Sequence, residues 1–301
     1  MKTIKRKGFS SMNKSYLYII CAAAFWGAMG VFVNALSALG LTTVQIAMLR
    51  ACTSLLFIGL LIICRDRALF KIKLCDIWMF FGSGIVSYFL FNNCYFTAIK
   101  EVGVAVSSVL LYTSPIFVTV MSVILFGEKM TGRKVICLLF AVGGCTLVSG
   151  LLSGDIGSIS FYGIFMGLAS GFTYALYSIF STYALRKYKP LTVTFYTFLF
   201  GATAATIIGN PVATITTISN PTGILWTLAL GIFSGALPYF LYTLGLSKVP
   251  ASHAAVISTV EPVVASLLGI FLFREGADAF TVLGIVLIIS ASIILNLGKE
   301  N

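Results

Sequence analysis

The sequence carries very little charge for its length. Of its 301 residues, only 10% are Asp, Glu, Lys or Arg, whereas 59% are hydrophobic. A soluble domain has about 25% charged residues, and a chain this apolar lacks the polar groups needed to cover its surface in water. The scarcity of charge therefore excludes an ordinary soluble protein and indicates a chain that lies in a lipid bilayer.

Residue patterns typical of many enzymes are also missing. The sequence has one histidine, no HExxH pattern and no glycine-rich phosphate-binding loop, so neither metal-assisted hydrolysis nor work driven by ATP is indicated. Its seven cysteines form no CxxC pair, and we expect them to pack as small apolar side chains. We therefore predict no enzymatic activity, no cofactor and no bound metal.

Long apolar runs, by contrast, recur along the whole chain. Each has about 18–24 residues, enough for a helix to cross roughly 30 Å of hydrocarbon, and spanning segments must be helical because lipid cannot pair open backbone groups. We predict an all-α integral membrane protein with ten transmembrane helices. The predicted ranges are Tyr16–Leu36, Val44–Cys64, Ile77–Ile99, Ala105–Phe126, Val135–Leu152, Phe161–Leu185, Leu191–Ile208, Ile224–Leu246, Ser252–Phe273 and Phe280–Leu297.

The positive charges are distributed unevenly between alternate connections. The N-terminal segment, the loops at residues 65–73, 128–134 and 186–189, Lys248 and Lys299 together hold 17 Lys and Arg residues, whereas the opposite side holds Lys100 and Arg274. Positive residues favour the cytoplasmic side. The pattern predicts a protein of the cell membrane with both termini in the cytoplasm. It assigns the basic charge to orientation and anionic lipid, with no nucleic-acid partner.

The two halves of the chain are similar when the sequence is shifted by 147 residues. Between residues 77 and 148, 13 of 72 shifted pairs are identical. These pairs include Gly84 with Gly231, Pro115 with Pro262, and Glu128 with Glu275. Five helices per half is an odd number, so the second half must enter the membrane in the opposite orientation, as in many secondary transporters. We predict a first repeat at residues 1–152 and a second at residues 161–298.

Four segments resemble the EamA-type transporters of the drug/metabolite transporter superfamily. They are AAAFWGAMGVF at residues 22–32, QIAMLRACTSLL at residues 45–56, and the stretches that begin TSPIF at residue 113 and STVEP at residue 258. The resemblance covers nearly the whole chain. It implies a secondary transporter of small metabolites that works by alternating access, with amino acids as the first candidate. A flippase-like carrier of lipid-linked groups and a membrane sensor or assembly protein without transport are the alternatives.

Glu261 is the only carboxylate well inside a predicted span, and the matching residue of the first half is Ser114. Ionisable groups inside a membrane cost about 2.5–3.5 kcal/mol on insertion scales and usually face a cavity or a partner. Three interpretations stay open. Glu261 binds a cationic part of the substrate, carries a proton in coupled transport, or braces its helix through Arg50 or a tyrosine.

Two further ionisable residues lie within or beside the predicted spans. His253 is expected to share a helix face with Glu261; an interfacial role is favoured for it, with a proton or substrate role as the alternative. We expect Arg50 to extend towards the outer surface, with a buried pair to Glu261 as the alternative.

Polar and aromatic side chains recur on one face of the third predicted helix and at the shifted positions of the eighth. They are expected to line a central pathway, with hydrogen bonding between helices as the alternative. The predicted pathway residues are Trp26, Tyr88, Asn92, Tyr95, Tyr174, Tyr239, Tyr242 and Glu261.

Small and ring-constrained residues predict the shape of several helices. Pro115, Pro238 and Pro262 lack an N–H group and are expected to bend their helices. The glycines at positions 163, 167 and 171 are expected to let helix backbones approach closely. The fifth and tenth helices have almost no polar residues, which makes them the predicted peripheral helices and a candidate homodimer contact.

Overall fold

The computed structural model describes residues 3–152, 160–272, 274 and 278–297, and its regular structure is entirely helical over these residues. Seven of the described helices are long and apolar enough to cross a membrane. They are Lys14–Ala38, Thr43–Arg65, Leu74–Leu111, Phe161–Leu185, Pro190–Ile208, Pro221–Leu246 and Ala251–Leu272. Ser114–Phe126 and Ala279–Leu295 are shorter apolar helices.

We number the main helical segments α1 to α10 in chain order. Their bounds are α1, Thr3–Gly27 and Met29–Ala38; α2, Thr43–Arg65; α3, Ile77–Phe81, a π-helical stretch Gly82–Phe89 and residues 90–102; α4, residues 104–111 and Ser114–Phe126; α5, Gly132–Val148; α6, Phe161–Leu185; α7, Pro190–Ile208; α8, Pro221–Ala229, a π-helical stretch Leu230–Ala236 and Leu237–Leu246; α9, Ala251–Ser258 and Val260–Leu272; α10, Ala279–Leu297. Short helices at Arg67–Phe70, Leu74–Asp76 and Pro211–Ile218 lie between them.

Helix occurs in each of the ten predicted ranges, but only seven described helices have the length and composition of a membrane span. The three ranges outside this set correspond to α4, α5 and α10, whose continuous helices are shorter. In α4 the cause is a break in the helix. Gly103, with φ 78°, turns the chain between α3 and α4, a backbone geometry that glycine adopts without steric cost.

Several helices begin at side chains that accept hydrogen bonds from the first free N–H groups. Thr42 and Gln45 form a capping box at the start of α2. The side chain of Ser160 caps α6 by accepting a hydrogen bond from the Gly163 N–H group, and the side chain of Asn220 caps α8 by accepting one from the Gly223 N–H group. Such residues satisfy donors that the helix cannot, so these ends are determined by local sequence.

The irregular parts of the backbone repeat with the same 147-residue shift as the sequence. The π-helical stretch of α3 corresponds to the π-helical stretch of α8. The break inside α4, at Tyr112 and Thr113, corresponds to the break inside α9, at Thr259. Both kinds of irregularity therefore occur at matching depths in the two halves.

The prolines follow these irregular points. Pro115 and Pro262 lie in the first turn of the second helix of α4 and of α9, and Pro238 is the second residue of Leu237–Leu246, directly after a π-helical stretch. A proline in the first turn of a helix removes an N–H group that has no helical partner anyway. Each bend thus precedes its proline. Glu275, the repeat partner of Glu128, lies outside the described residues.

Helix packing divides the molecule into two similar three-helix bundles. The α3–α4–α6 bundle comes mainly from the first half and takes α6 from the second, whereas the α1–α8–α9 bundle takes α1 from the first half. The pairs α2 with α7, α4 with α9, and α5 with α10 also pack together. Exchanging each helix with its counterpart five helices later reproduces this set of contacts.

Close packing inside the α3–α4–α6 bundle depends on the three glycines of α6. A Cβ atom on Gly171 would lie 2.8 Å from the Leu110 carbonyl oxygen and 2.9 Å from Thr113 Oγ1. Added side-chain atoms at Gly163 and Gly167 would overlap Val102 and Leu110 respectively. These glycines therefore allow α6 to lie directly against α3 and α4.

Large apolar side chains cover much of the outside of the molecule. Leu56, Ile124, Ile207 and Phe271 are among those that are more than half exposed. A water-soluble protein avoids large contiguous apolar patches, whereas lipid tails contact such side chains at no cost. The outer surface is therefore suited to hydrocarbon.

We predict that Gly171→Ala destabilises the protein by about 1–3 kcal/mol because the new methyl group overpacks a contact with backbone atoms. Gly143→Ala in α5 is the matched control, since a Cβ atom there meets nothing within 4 Å and alanine favours helix. Thermal unfolding in detergent measures both variants. Equal melting temperatures for the two would contradict the packing explanation.

Candidate functional site

A cavity of about 520 Å³ lies between the two bundles, with α2 along one side. Its wall is built from α1, α2, α3, α4, α6, α8 and α9, so both halves of the chain contribute. The lining side chains that bear on its chemistry are Trp26, Met29, Arg50, Phe91, Asn92, Tyr95, Phe96, Lys100, Tyr112, Tyr174, Tyr239 and Glu261.

The cavity opens where α1 joins α2 and where α3 joins α4. Asn34, Thr43 and Lys100 line this mouth and are exposed. The connections at the mouth lie opposite the loops that hold most of the Lys and Arg residues. The cavity is therefore accessible from the side with little positive charge.

Arg50 is buried at the inner end of the cavity, with 5% of its surface exposed. Its Nε donates to Tyr88 Oη at 3.0 Å, and Nη2 donates to Asn92 Oδ1 at 3.3 Å. The guanidinium also lies over the Tyr88 ring, 5.2 Å from its centroid. The expectation that Arg50 reaches the outer surface is therefore wrong, because α3 supplies the hydrogen bonds that its charged group needs inside the bundle.

The two partners of Arg50 are held by the backbone of α3. Asn92 Nδ2 donates to the Tyr88 carbonyl oxygen at 2.6 Å, so the amide oxygen of Asn92 faces Arg50. Tyr88 lies in the π-helical stretch, where the extra residue per turn changes the direction of the side chains that follow. The π-helical turn thus helps to bring Tyr88, Asn92 and Arg50 together.

Glu261 lines the cavity from the first turn of the second helix of α9. Its Oε2 accepts a hydrogen bond from Tyr174 Oη of α6 at 3.4 Å. A carboxylate in the first turn of a helix is stabilised by the helix dipole. The break at Thr259 therefore provides a favourable position for a negative charge inside the membrane.

Arg50 and Glu261 both line the cavity, and no ion pair joins them among the described side chains. Their bonded partners are neutral: Arg50 contacts Tyr88, Asn92 and the Met29 sulfur, and Glu261 contacts Tyr174. The cavity therefore contains one basic and one acidic side chain that a ligand can engage separately.

A group of packed aromatic rings closes the cavity on the side of the basic loops. We call this group the aromatic floor; its members are Trp26, Tyr88, Tyr177, Phe198, Tyr239 and Tyr242. Tyr239 is at its centre, with ring centroids 5.2 Å from Trp26 and 5.1 Å from Tyr177. Tyr242 Oη bonds to Ser178 Oγ at 2.7 Å, which ties α8 to α6 below the rings.

Six of the predicted pathway residues line the main cavity: Trp26, Asn92, Tyr95, Tyr174, Tyr239 and Glu261. Tyr88 and Tyr242 do not line it and lie in the aromatic floor, which shares Trp26 and Tyr239 with the cavity wall and surrounds a much smaller cleft. Tyr95 bonds to Ser108 Oγ of α4 at 3.0 Å.

His253 lies away from the cavity, near the basic loops. Its Nδ1 and Tyr16 Oη are 3.0 Å apart, and the two rings are stacked. His253 is not among the residues that line the cavity with Glu261, and the helix break at Thr259 lies between the two residues. His253 and Glu261 therefore belong to different environments.

Some cavity residues were not found by sequence reasoning. Tyr112 and the ring side chains of Phe91 and Phe96 line the wall, and the Met29 sulfur contacts Arg50. Tyr112 lies at the α4 break, and its repeat partner Thr259 lies at the α9 break, so the two matched prolines could have indicated it. The other three carry no signal that separates them from lipid-facing apolar residues.

Among the described residues, no cluster of three or more His, Cys, Asp and Glu side chains is suited to hold a metal ion.

Comparisons with known proteins match one family model to both halves of the chain. The model of the EamA-like transporter family matches residues 13–150 and again residues 161–297. An uncharacterized transporter of Archaeoglobus fulgidus is 27% identical over 95% of this chain and 97% of its own length, and the uncharacterized transporter YwfM of Bacillus subtilis is 28% identical over 93% of each. A solved crystal structure with 18% identity superposes with a TM-score of 0.80 over 94% of this chain and 96% of its own, which supports the fold.

We predict that, in the conformation described here, the cavity reacts with water-soluble thiol reagents from one side only. In a variant without the seven native cysteines, Tyr95→Cys should be labelled from the side where Lys100 lies. Ser178→Cys, below the aromatic floor, is the matched control and should stay unlabelled from both sides in this conformation. Labelling of Tyr95→Cys from the basic side would contradict the observed opening.

Proposed function

Since the chain belongs to the EamA-like transporter family, as its motifs indicated, we propose that it is a secondary transporter in which the cavity is the substrate site. The family consists of membrane transporters of the drug/metabolite superfamily, so this chain is a multi-pass membrane transporter of small molecules and not an enzyme. The proposed architecture is ten spans in two inverted repeats, with access alternating between the two faces.

The symmetry of the helices supports the proposed inverted repeats. The π-helical stretches, the helix breaks and the helix contacts all repeat between the halves. A molecule built from two inverted halves can exchange their conformations and so open its site to the other face at little change in energy. The present cavity, open on one side and closed by the aromatic floor on the other, corresponds to one of these two states.

The charge distribution supports the proposed orientation. The basic loops favour the cytoplasm, so both termini are cytoplasmic and the cavity opens away from the cytoplasm, in the cell membrane. The outer faces of α5 and α10 are apolar at Leu139, Val286 and Ile293. We keep this surface as the proposed homodimer contact, which the mass of the purified protein in detergent would test.

The unpaired opposite charges carry the proposal for the substrate. A zwitterion such as an amino acid has a carboxylate for Arg50 and an ammonium group for Glu261, and each charged pair is stronger inside a protein than in water. Cationic groups also interact favourably with the faces of aromatic rings. A lipid-linked phosphate group fits less well, since it has an anionic group for Arg50 but no ammonium group to pair with Glu261.

Proton coupling through Glu261 is the proposed source of energy. A carboxyl group that holds either a proton or a substrate ammonium group couples the two movements. Its hydrogen bond from Tyr174 crosses from α6 to α9, so a change in its protonation alters a contact between the two bundles.

We predict that a free amino acid binds and that its blocked forms do not. Each of the twenty amino acids is compared with its methyl ester and its N-acetyl derivative by thermal shift and by counterflow in liposomes. A lost charge should weaken binding about ten-fold or more, because it leaves Arg50 or Glu261 without its partner.

Two variants make this comparison specific. Arg50→Met should remove the preference for the free acid over the ester, and Glu261→Gln should remove the preference for the free amine over the N-acetyl form. Lys71→Met, at an exposed residue in the connection after α2 that does not line the cavity, is the control and should keep both preferences. Equal binding of blocked and free forms by the unmodified protein would rule out zwitterion recognition.

We predict that Glu261→Gln abolishes the dependence of transport on a pH gradient, because an amide cannot carry the proton. Uptake into liposomes is measured with and without the gradient, using whichever amino acid shows counterflow. Tyr174→Phe keeps the carboxylate and should stay sensitive to the gradient. Transport by Glu261→Gln that still follows the gradient would show that protons move elsewhere or not at all.

A further inference from the structure

Glu128 lies on the side of the molecule opposite the cavity mouth, just after α4. Its Oε1 accepts a hydrogen bond from the Ala251 backbone N–H at 3.0 Å, and its Oε2 accepts one from the Ser252 hydroxyl group. Lys134 Nζ lies 3.1 Å from the same carboxylate, and the Glu128 side chain is 12% exposed. Both carboxylate oxygens are thus engaged, although the site is next to water.

The carboxylate acts as the cap of another helix. The first helix of α9, Ala251–Ser258, begins after Pro250, which supplies no side-chain cap. Free N–H groups and the helix dipole at such an end favour a negative group. Glu128, from the first half of the chain, therefore occupies the capping position of a helix in the second half.

This contact joins the two bundles, whereas two other polar contacts at helix ends join helices of the same bundle. Glu128 follows α4, which packs in the α3–α4–α6 bundle, and its partners begin α9 of the α1–α8–α9 bundle. Lys187 at the end of α6 bonds to Asp76 at the start of α3, and Ser160 bonds to Glu101 at the other ends of these two helices. The α3 and α6 helices are therefore joined to each other at both ends, whereas Glu128 joins the end of α4 to the start of α9 across the interface between the bundles.

We propose that Glu128 is a latch that holds the basic face closed while the cavity is open at the other face. The proposal rests on alternating access. For the basic face to open, the ends of α4 and α9 must separate, and this breaks the hydrogen bonds to Ala251 and Ser252. The closed state keeps three interactions with one carboxylate, so the strength of this contact determines how often the basic face opens.

The latch also positions the substrate site. The helix that Glu128 caps ends at the Thr259 break, two residues before Glu261. A movement of its first turn is therefore transmitted to the carboxylate that lines the cavity. Glu128 itself is not among the residues that line the cavity, so it is a positioning residue.

Spin labels across the interface test the proposal. Cysteines replace Met130 and Lys248, two exposed residues in the connections after α4 and after α8, in a background without the native cysteines. Pulsed dipolar measurements on the protein in liposomes should give a short distance for the unmodified latch. Glu128→Gln and Glu128→Ala should add a longer distance, with the ratio of open to closed molecules raised about ten-fold. Ser252→Ala should give a smaller change in the same direction.

Controls separate a latch from a general loss of structure. Glu101→Gln removes a carboxylate whose contact lies within one bundle and should leave the distance between residues 130 and 248 unchanged. A second label pair at Leu74 and Lys189 reports α3 against α6 and should not change in any variant.

The outcomes also separate the latch from the proposed function. Unchanged distances between residues 130 and 248 in both Glu128 variants, with transport intact, would overturn the latch and leave the transporter proposal standing. A longer distance in the Glu128 variants, together with no amino acid transport by the unmodified protein, would support the latch and count against the proposed substrate. An equal shift in Glu101→Gln would also overturn the latch.

Discussion

The arrangement of this protein depends on keeping a guanidinium group inside a membrane. Arg50 is almost completely buried, and its hydrogen bonds to Tyr88 and Asn92 offset the cost of removing its charge from water. Those partners come from one face of α3, whose π-helical stretch sets their direction. The inner end of the cavity is formed where Arg50, Tyr88 and Asn92 meet and satisfy one another's hydrogen-bonding groups.

Close helix packing makes this arrangement possible. Gly84 and Gly231, which are repeat partners, each lie in a π-helical stretch, and each would clash with the neighbouring helix if it carried a side chain. Glycines of α6 have the same effect against α3 and α4. The α3–α4–α6 bundle is therefore internally tight, and α3 and α8 lie directly against α7 and α2. The interface between the two bundles holds the cavity, the aromatic floor and the contacts of Glu128. Fewer close backbone contacts cross this interface than lie within the bundles.

Much of the fold could be predicted from the sequence because lipid imposes simple rules. Apolar runs predicted the helices, the shared prolines predicted irregular points within them, and family motifs predicted the transporter. The break in α4 reduced the number of long spans, since the chain turns at Gly103 and again before Pro115. A hydropathy pattern reports how apolar a segment is. It contains no direct information on where the backbone hydrogen bonds of a helix are interrupted. For the same reason the sequence predicted Glu261 as the notable charge but could not decide whether Arg50 would pair with it.

The sequence by itself determined the class of protein, the approximate helix positions and the residues that carry charge inside the membrane. These follow from local composition, because each helix must satisfy its own backbone in lipid. Only the tertiary structure decided which of those residues meet. Arg50 meets Tyr88 and Asn92 rather than Glu261, and His253 meets Tyr16 rather than the cavity. Their partners are far apart along the chain and lie on different helices, so the contacts depend on how the helices rotate and pack. Helix rotation is governed by the fit of many side chains at once, which no single segment of the sequence specifies.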